Sequence, residues 1–401
     1  MKYVILVGDG MADYPHKELG GKTPLEYAKT PSMDFIASHG VIGTVKTIPD
    51  GFPPGSDVAN LSLFGYDPET CYSGRGPLEA ASLGVHLLPE DVAFRCNLVT
   101  LGERDGKTFM EDYSCGHITT QESREIIEDL DRELGSEEIK IYPGISYRHV
   151  LVWKNGPEEI ELTPPHDITG QDIESYMPKG KRDQEIIRLM ERSMEVLKRH
   201  QVNLKRLENG QRPASTIWLW GQGRAPKMET LMEKYSLSGS VISAVDLIKG
   251  LGVYAGLEVV EVPGVTGFLD TNYLGKADYA LSSLKEKDFV FVHVEAPDEA
   301  SHMGDLEKKL IAIEDFDARI VGRILEGLKV FDEYRVMIAP DHPTPLSVMT
   351  HTSEPVPFAF YSGGKGDLPK RKDIGFNERD AGMSGIHFEK GEELINRFIY
   401  G

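Results

Sequence analysis

Three short strand-like runs, Tyr3–Val7, Phe289–Val294 and Arg335–Ala339, each give way within a few residues to an aspartate: Asp9, Asp298 and Asp341. Such compact, largely apolar runs, separated by helical patterns such as Lys308–Leu328, read as buried parallel strands. Parallel strands need crossover connections, and helices supply them. The chain is therefore expected to form an α/β, doubly wound and mostly parallel sheet. Thr216–Trp220 and Gly239–Ser243 read as further strands of the same sheet. Ligands of open α/β sheets collect outside the carboxyl ends of the strands. The pattern that sets the fold class thus also points to where a site belongs, beside Asp9, Asp298 and Asp341.

The texture changes between about 90 and 175. Phe94–Thr100 alternates like a half-buried strand, Gly102–Lys107 resembles a hairpin turn, and Tyr147–Trp153 and Glu159–Leu162 continue as short strands around a Glu122–Leu134 helix. This mixed α+β stretch is read as a domain of its own, 90–175, inserted into a core made of 1–89 and 176–401. Within the core, Arg182–His200 is a strongly amphipathic helix, Pro24–His39 reads as one helix capped by Thr23, and the end of the chain closes with a helix.

Length and charge narrow the partners. At 401 residues, with 40% hydrophobic and 8% aromatic content, the chain can build a sizeable core. A formal charge of −20 argues against a nucleic-acid surface, and an anionic substrate must then meet a locally basic pocket. The three cysteines, Cys71, Cys96 and Cys115, form no disulfide framework. No apolar run approaches the roughly 20 residues that span a bilayer, and Met1–Gly10 lacks a signal-peptide core. A cytoplasmic protein without membrane contact is expected, with the oligomeric state open.

The candidate chemistry gathers past the strand ends. Asp298 and His302 stand at i, i+4 and face one way on a helical turn, so both can reach one metal ion. Asp341-His342 follows a strand directly, His351 comes nine residues later, and the Pro/Gly loop 49–56 delivers Ser56 ahead of a short helix, 57–64. Oxygen and imidazole donors without thiolates suit Mn²⁺, Zn²⁺ or Mg²⁺. Each pattern alone is common by chance; their joint placement past apolar strands is what points to a metal site. His293, inside a strand, reads as a core residue. His16, His39, His200 and His387 have no motif around them.

Gly8-Asp9-Gly10, Pro54-Gly55-Ser56-Asp57-Val58-Ala59-Asn60, the stretch Glu295-Ala296-Pro297-Asp298-Glu299-Ala300-Ser301-His302, Asp341-His342-Pro343-Thr344-Pro345 and Thr350–Phe358 lie in this order over most of the chain. Together they resemble the archaeal-type, cofactor-independent phosphoglycerate mutases of the alkaline phosphatase superfamily. The resemblance implies an alkaline-phosphatase-like sheet with an inserted cap and two divalent ions, Mn²⁺ being the expected one with Mg²⁺ or Zn²⁺ as alternatives. It implies that Asp9, Ser56, Asp341 and His342 hold one ion, that Asp298, His302 and His351 hold the other, and that Lys276 serves the phosphate. No 2,3-bisphosphoglycerate is then needed. The implied activity is interconversion of 3- and 2-phosphoglycerate through a phosphoserine at Ser56. Two ions on the transferring phosphoryl oxygens and an activated serine make physical sense of that chemistry.

A small anionic phosphorylated substrate calls for guanidinium groups. Arg75, in a Gly-rich turn, is the first candidate, followed by Arg95, Arg148 and Arg224; Asp112 and His117 could act on a hydroxyl. One departure stands out. Trp218-Leu219-Trp220-Gly221-Gln222-Gly223 resembles a bacterial branch proposed to phosphorylate homoserine, where the archaeal enzymes are expected to have an Arg-Gly turn. The alternative reading keeps the metals and Ser56 but passes the phosphoryl group to homoserine or another small alcohol. A phosphohydrolase and a metal-binding scaffold are the remaining readings. A cap that excludes water argues against the first, and the choice of a serine among the ligands argues against the second.

Overall fold

The structure is a computed structural model that describes residues 1–364 and 374–401. The chain forms two compact units, one of residues 1–72 and 227–401, the other of residues 73–226. The second unit is wider on both sides than the expected 90–175 segment. The reason lies in strand pairing. Thr216–Gly223, read as part of the parallel sheet, pairs instead antiparallel with Asp91–Arg104, and the amphipathic helix Asp183–Lys198 buries its apolar stripe in the same core. An apolar run identifies a strand but not its partner.

The first unit is built on eight strands. Their order is Glu258–Val259, Gly239–Ile242, β2 (Phe289–Val294), β1 (Lys2–Gly8), β3 (Tyr334–Ala339), Val356–Gly363, Val41–Val45 and His387–Phe388. The first five are mutually parallel, Val356–Gly363 runs antiparallel to both its neighbours, and His387–Phe388 is parallel to Val41–Val45. The doubly wound, mostly parallel expectation therefore holds. Alternation gives the sheet two buried faces. Val4, Leu6, Val290, Val292 and Val294 join the helices of one side in a large core. On the other side Phe291 stacks on Phe64 at 4.0 Å, and Tyr3 meets Phe398 edge-on at 5.8 Å.

The helices follow their caps. Thr23 forms a capping box with Glu26, but the expected single helix is two, Pro24–Tyr27 and Pro31–His39. Proline opens a helix readily and cannot continue one, so Pro31 starts a new helix. Lys308–Leu328 likewise runs as Leu306–Asp315, a π-helical stretch Phe316–Val321 and Gly322–Leu328. Among the described residues, no helix is long and apolar enough to cross a membrane.

The second unit is a five-stranded antiparallel sheet of Lys107–Asp112, Asp91–Arg104, Arg148–Lys154, Ile139–Ile145 and Thr216–Gly223. Helices Thr120–Leu134 and Asp183–Lys198 pack into its main core, and Arg75–Ser82 contributes to a second, smaller one. Gly223 has no room for a side chain, because a Cβ there would strike the Ser73 carbonyl oxygen.

Candidate active site

Three adjacent strands, β2, β1 and β3, end side by side, which places the residues after them in one neighbourhood. Asp9 follows β1, and its backbone N–H donates to Val294 O at the end of β2 (2.9 Å). Gly10 turns the chain with φ +61, and a Cβ there would lie 2.5 Å from Thr344 Oγ1 and 2.6 Å from Asp298 Oδ1. Only glycine meets both conditions. After β2, Pro297 opens helix α2 (Ala296–His302), and the i, i+4 spacing puts His302 Nε2 3.1 Å from Asp298 Oδ2. His351 Nε2 lies 3.0 Å from His302 Nε2 and 3.5 Å from Asp298 Oδ1. After β3, Asp341 and His342 are fully buried.

Ser56 is the first residue of helix α1 (Ser56–Leu63), and its Oγ is 3.0 Å from His342 Nε2. The seven residues expected as metal ligands thus share one cluster. Asp298, His342 and His351 form one group and Asp9, His293 and Asp341 another, the ligand atoms of each lying within 4.8 Å of one another. His342 Nε2 is also 3.5 Å from Asp9 Oδ1 and from Asp341 Oδ2, so it stands at the seam between the two.

The electrostatics explain why such a cluster suits cations. Burial, and then the charges of Asp341, Asp298 and Glu295, push the Asp9 carboxyl well above its ordinary range. Burial opposes the Asp298 charge too, but hydrogen bonds with His302 and His351 outweigh it and hold that carboxyl well below the usual range. His302 is pushed up to about 9, chiefly by its bond to Asp298. Burial lowers His342 and brings His293 down to about 4. Asp9 Oδ1 and His293 Nε2 are buried without a hydrogen-bond partner among the described residues. Buried carboxylates, the neutral imidazoles of His293 and His342, and two orphaned ligand atoms fit divalent ions.

Several residues that sequence reasoning left without a role set this geometry. Asn60 Nδ2 donates to Asp341 Oδ2 (2.7 Å) and to Ser56 O (2.9 Å). Thr344 Oγ1 donates to Asp298 Oδ1 (2.5 Å) and lies 3.2 Å from His342 Nδ1. The Met349 carbonyl is 3.0 Å from His302 Nδ1, with Met349 held at φ +57. Such contacts to the second ring nitrogen leave Nε2 facing inward. Lys276, expected at the phosphate, is buried and donates to His293 O (2.9 Å), and burial brings its ammonium down to about 8.

Lys309 is the least expected member. Fully buried, it pairs with Asp13 (2.8 Å) and donates to Thr344 O (2.9 Å), joining the segment after β1 to the segment after β3. Replacing it with methionine strands the Asp13 charge, and breaking a buried pair in this way costs about 3–5 kcal/mol. Lys309→Met should lower the denaturation midpoint accordingly. A change below about 1 kcal/mol, the range of a solvated pair, contradicts the tie.

The arginines lie in the second unit. The Arg95 guanidinium sits 4.2 Å from the Trp220 ring centroid and pairs with Glu79 (2.8 Å). Burial lowers its pKa, and Glu79 opposes that while Arg75 and Arg148 add to it, so three guanidinium groups are neighbours. Arg75 lies 5.9 Å from the same ring. Arg148 Nε is buried without a hydrogen-bond partner among the described residues. Arg224 is not gathered in; it binds Glu158 (2.7 Å) and Pro89 O (2.8 Å). In the structure Trp-Gly-Gln-Gly is the bulged end of the strand Thr216–Gly223, where Gly221, at φ +60, lies against Arg75 and Arg95. Asp112 accepts bonds from Ser114, Gly116 and Arg212, which occupies it structurally.

The sequence model of a family described as 2,3-bisphosphoglycerate-independent phosphoglycerate mutase matches residues 37–203. A protein of that name from Methanosarcina barkeri is 57% identical over 100% of this chain and 99% of its own. A probable one from Geobacter sulfurreducens is 53% identical over the whole of both. Among solved structures, a Pyrococcus horikoshii protein superposes with a TM-score of 0.83 at 31% identity, covering 100% of this chain and 96% of its own. A cofactor-independent phosphoglycerate mutase from Thermoplasma acidophilum superposes at 0.66 with 26% identity, covering 100% and 99%.

Proposed function

The chain belongs to the 2,3-bisphosphoglycerate-independent phosphoglycerate mutases, and on that premise we propose how its residues carry the reaction. The substrates are 3-phosphoglycerate and 2-phosphoglycerate, and the phosphoryl group passes between their hydroxyls by way of Ser56. Asp9, Ser56, Asp341 and His342 hold one divalent ion, and Asp298, His302 and His351 the other. When bound, the ions supply positive charge to the phosphoryl oxygens and favour the ionised serine. The observation that carries this reading is Ser56 Oγ at 3.0 Å from His342 Nε2, inside a cluster of buried carboxylates and imidazoles.

Ser56 gives up its proton and takes the phosphoryl group, and the freed glycerate hydroxyl takes a proton. The second transfer reverses these steps at the neighbouring hydroxyl. Asn60 keeps Ser56 and Asp341 in register throughout. The amino end of α1, at Ser56, favours the added negative charge. Lys276 contributes a buried positive charge.

Arg75, Arg95 and Arg148 are the groups suited to the substrate carboxylate, and the unit that carries them is the cap. Arg148→Met should raise KM by about 10–100-fold, the worth of one charge-assisted hydrogen bond, with a smaller change in kcat. An unchanged KM in steady-state assays removes Arg148 from the binding set.

A coupled assay tests the whole reading. Purified protein with 3-phosphoglycerate and Mn²⁺, and no bisphosphoglycerate, should form 2-phosphoglycerate. Conversion that begins only when 2,3-bisphosphoglycerate is added overturns the proposal.

A further inference from the structure

We infer that His293 is itself a ligand of the ion held by Asp9 and Asp341, an assignment that rests on the metal-dependent reading above. His293 is the penultimate residue of β2, fully buried, and its register partner on β1 is Val7, two residues before Asp9. Strand pairing alone therefore brings the imidazole to the Asp9 carboxylate.

The contact is close but is no hydrogen bond. His293 Nε2 lies 3.0 Å from Asp9 Oδ2, yet among the described residues it has no hydrogen-bond partner, and neither has Asp9 Oδ1. A neutral imidazole left in this way beside a buried carboxylate loses the bond that normally offsets its burial. The separation has another explanation. Two donor atoms bound at about 2.0–2.2 Å to one ion, at an angle of roughly 90–110°, stand about 2.8–3.6 Å apart, a range that includes this separation. Asp341 completes the group, its ligand atom within 4.8 Å of the other two.

The rest of the residue is fixed as a ligand's should be. His293 Nδ1 lies 3.3 Å from Ser243 Oγ, which accepts from the Val245 N–H (2.9 Å). The His293 carbonyl oxygen accepts from Lys276 (2.9 Å). A metal-bound histidine commonly has its other ring nitrogen hydrogen-bonded, which sets the tautomer and aims the free lone pair. A second imidazole beside His342 on this ion also shifts the preference of the site from Mg²⁺ toward Mn²⁺ and Zn²⁺.

Metal content and diffraction decide the matter without an activity assay. Wild-type protein loaded with Mn²⁺ should hold two ions per chain, with anomalous scattering placing one at bonding distance from His293 Nε2, about 2.0–2.3 Å. His293→Leu should keep the ion of Asp298 and His351 and bind the Asp9 ion at least about 100-fold more weakly. Two wild-type ions, both beyond about 3 Å from Nε2, overturn the assignment of His293 while leaving the mutase reading intact. So does a His293→Leu protein that holds both ions with unchanged affinity. If the variant fails to fold, the wild-type diffraction result still decides. Wild-type protein that binds no divalent ion overturns this inference together with the reading on which it rests.

Discussion

Ser56→Ala should fold normally and lose turnover by about 10³-fold or more. The fold is safe because Ser56 is half-exposed, sits at the first position of α1 and leaves the N-cap to Gly55. Alanine is also the best helix former. Turnover falls because an intramolecular mutase without a bisphosphate donor needs a group on the protein to hold the phosphoryl between two half-reactions. Mass spectrometry of wild-type protein quenched cold with substrate should find one added phosphoryl group, on Ser56. Chased with glycerate, that phosphoenzyme should return phosphoglycerate. Transfer to homoserine alone would move the enzyme to the phosphotransferase reading suggested by the Trp-Gly-Gln-Gly turn. Turnover in Ser56→Ala within tenfold of wild type would falsify the serine mechanism.

Chelation should have an effect as large. Stripping divalent ions is expected to end conversion, and Mn²⁺ should restore it. His351→Ala should lose one ion preferentially by elemental analysis, because His351 belongs to the Asp298 group. Binding also couples to stability, since an ion at 100 times its Kd adds about 2.7 kcal/mol to the folded state. The metal-free protein should respond to pH in a defined direction. Asp9 and His302 both have raised folded-state pKa values, so their stabilisation is fully present below the ordinary values of those groups. It is lost as pH rises through the raised ones, for His302 between 6.5 and about 9. Asp298 is opposite in sign and gives up its contribution only as pH falls. The Tm gained on adding Mn²⁺ should therefore widen from pH 6.5 to 9. A Tm gain that shrinks over that range contradicts the assigned shifts.

Much of the site was legible along the chain. Asp9, Asp298 and Asp341 announce themselves as acids just past apolar strands, and the Asp298/His302 pair is a helical spacing. His293 gave no such signal. In Phe-Val-Phe-Val-His-Val it occupies a strand position that ordinarily packs in a core. A polar residue near the carboxyl end of a central strand was the one available hint. Lys309 follows Lys308 on a helix and looks like half of a solvated pair of charges. Only the meeting of that helix with Asp13 and Thr344 buries it.

The class of sheet, the ends of its strands and the residues delivered there can be read along the chain, because they depend on periodicity and on turn residues close in sequence. Which strand Thr216–Gly223 joins, where the 73–226 unit begins and ends, and that Arg75, Arg95 and Arg148 share a neighbourhood while Arg224 pairs elsewhere come from long-range packing. So does the meeting of His293 with Asp9. Each of these depends on the register of residues far apart in sequence. Hydrophobic patterning marks which face of a strand is buried, but it carries no record of the neighbour on the other side.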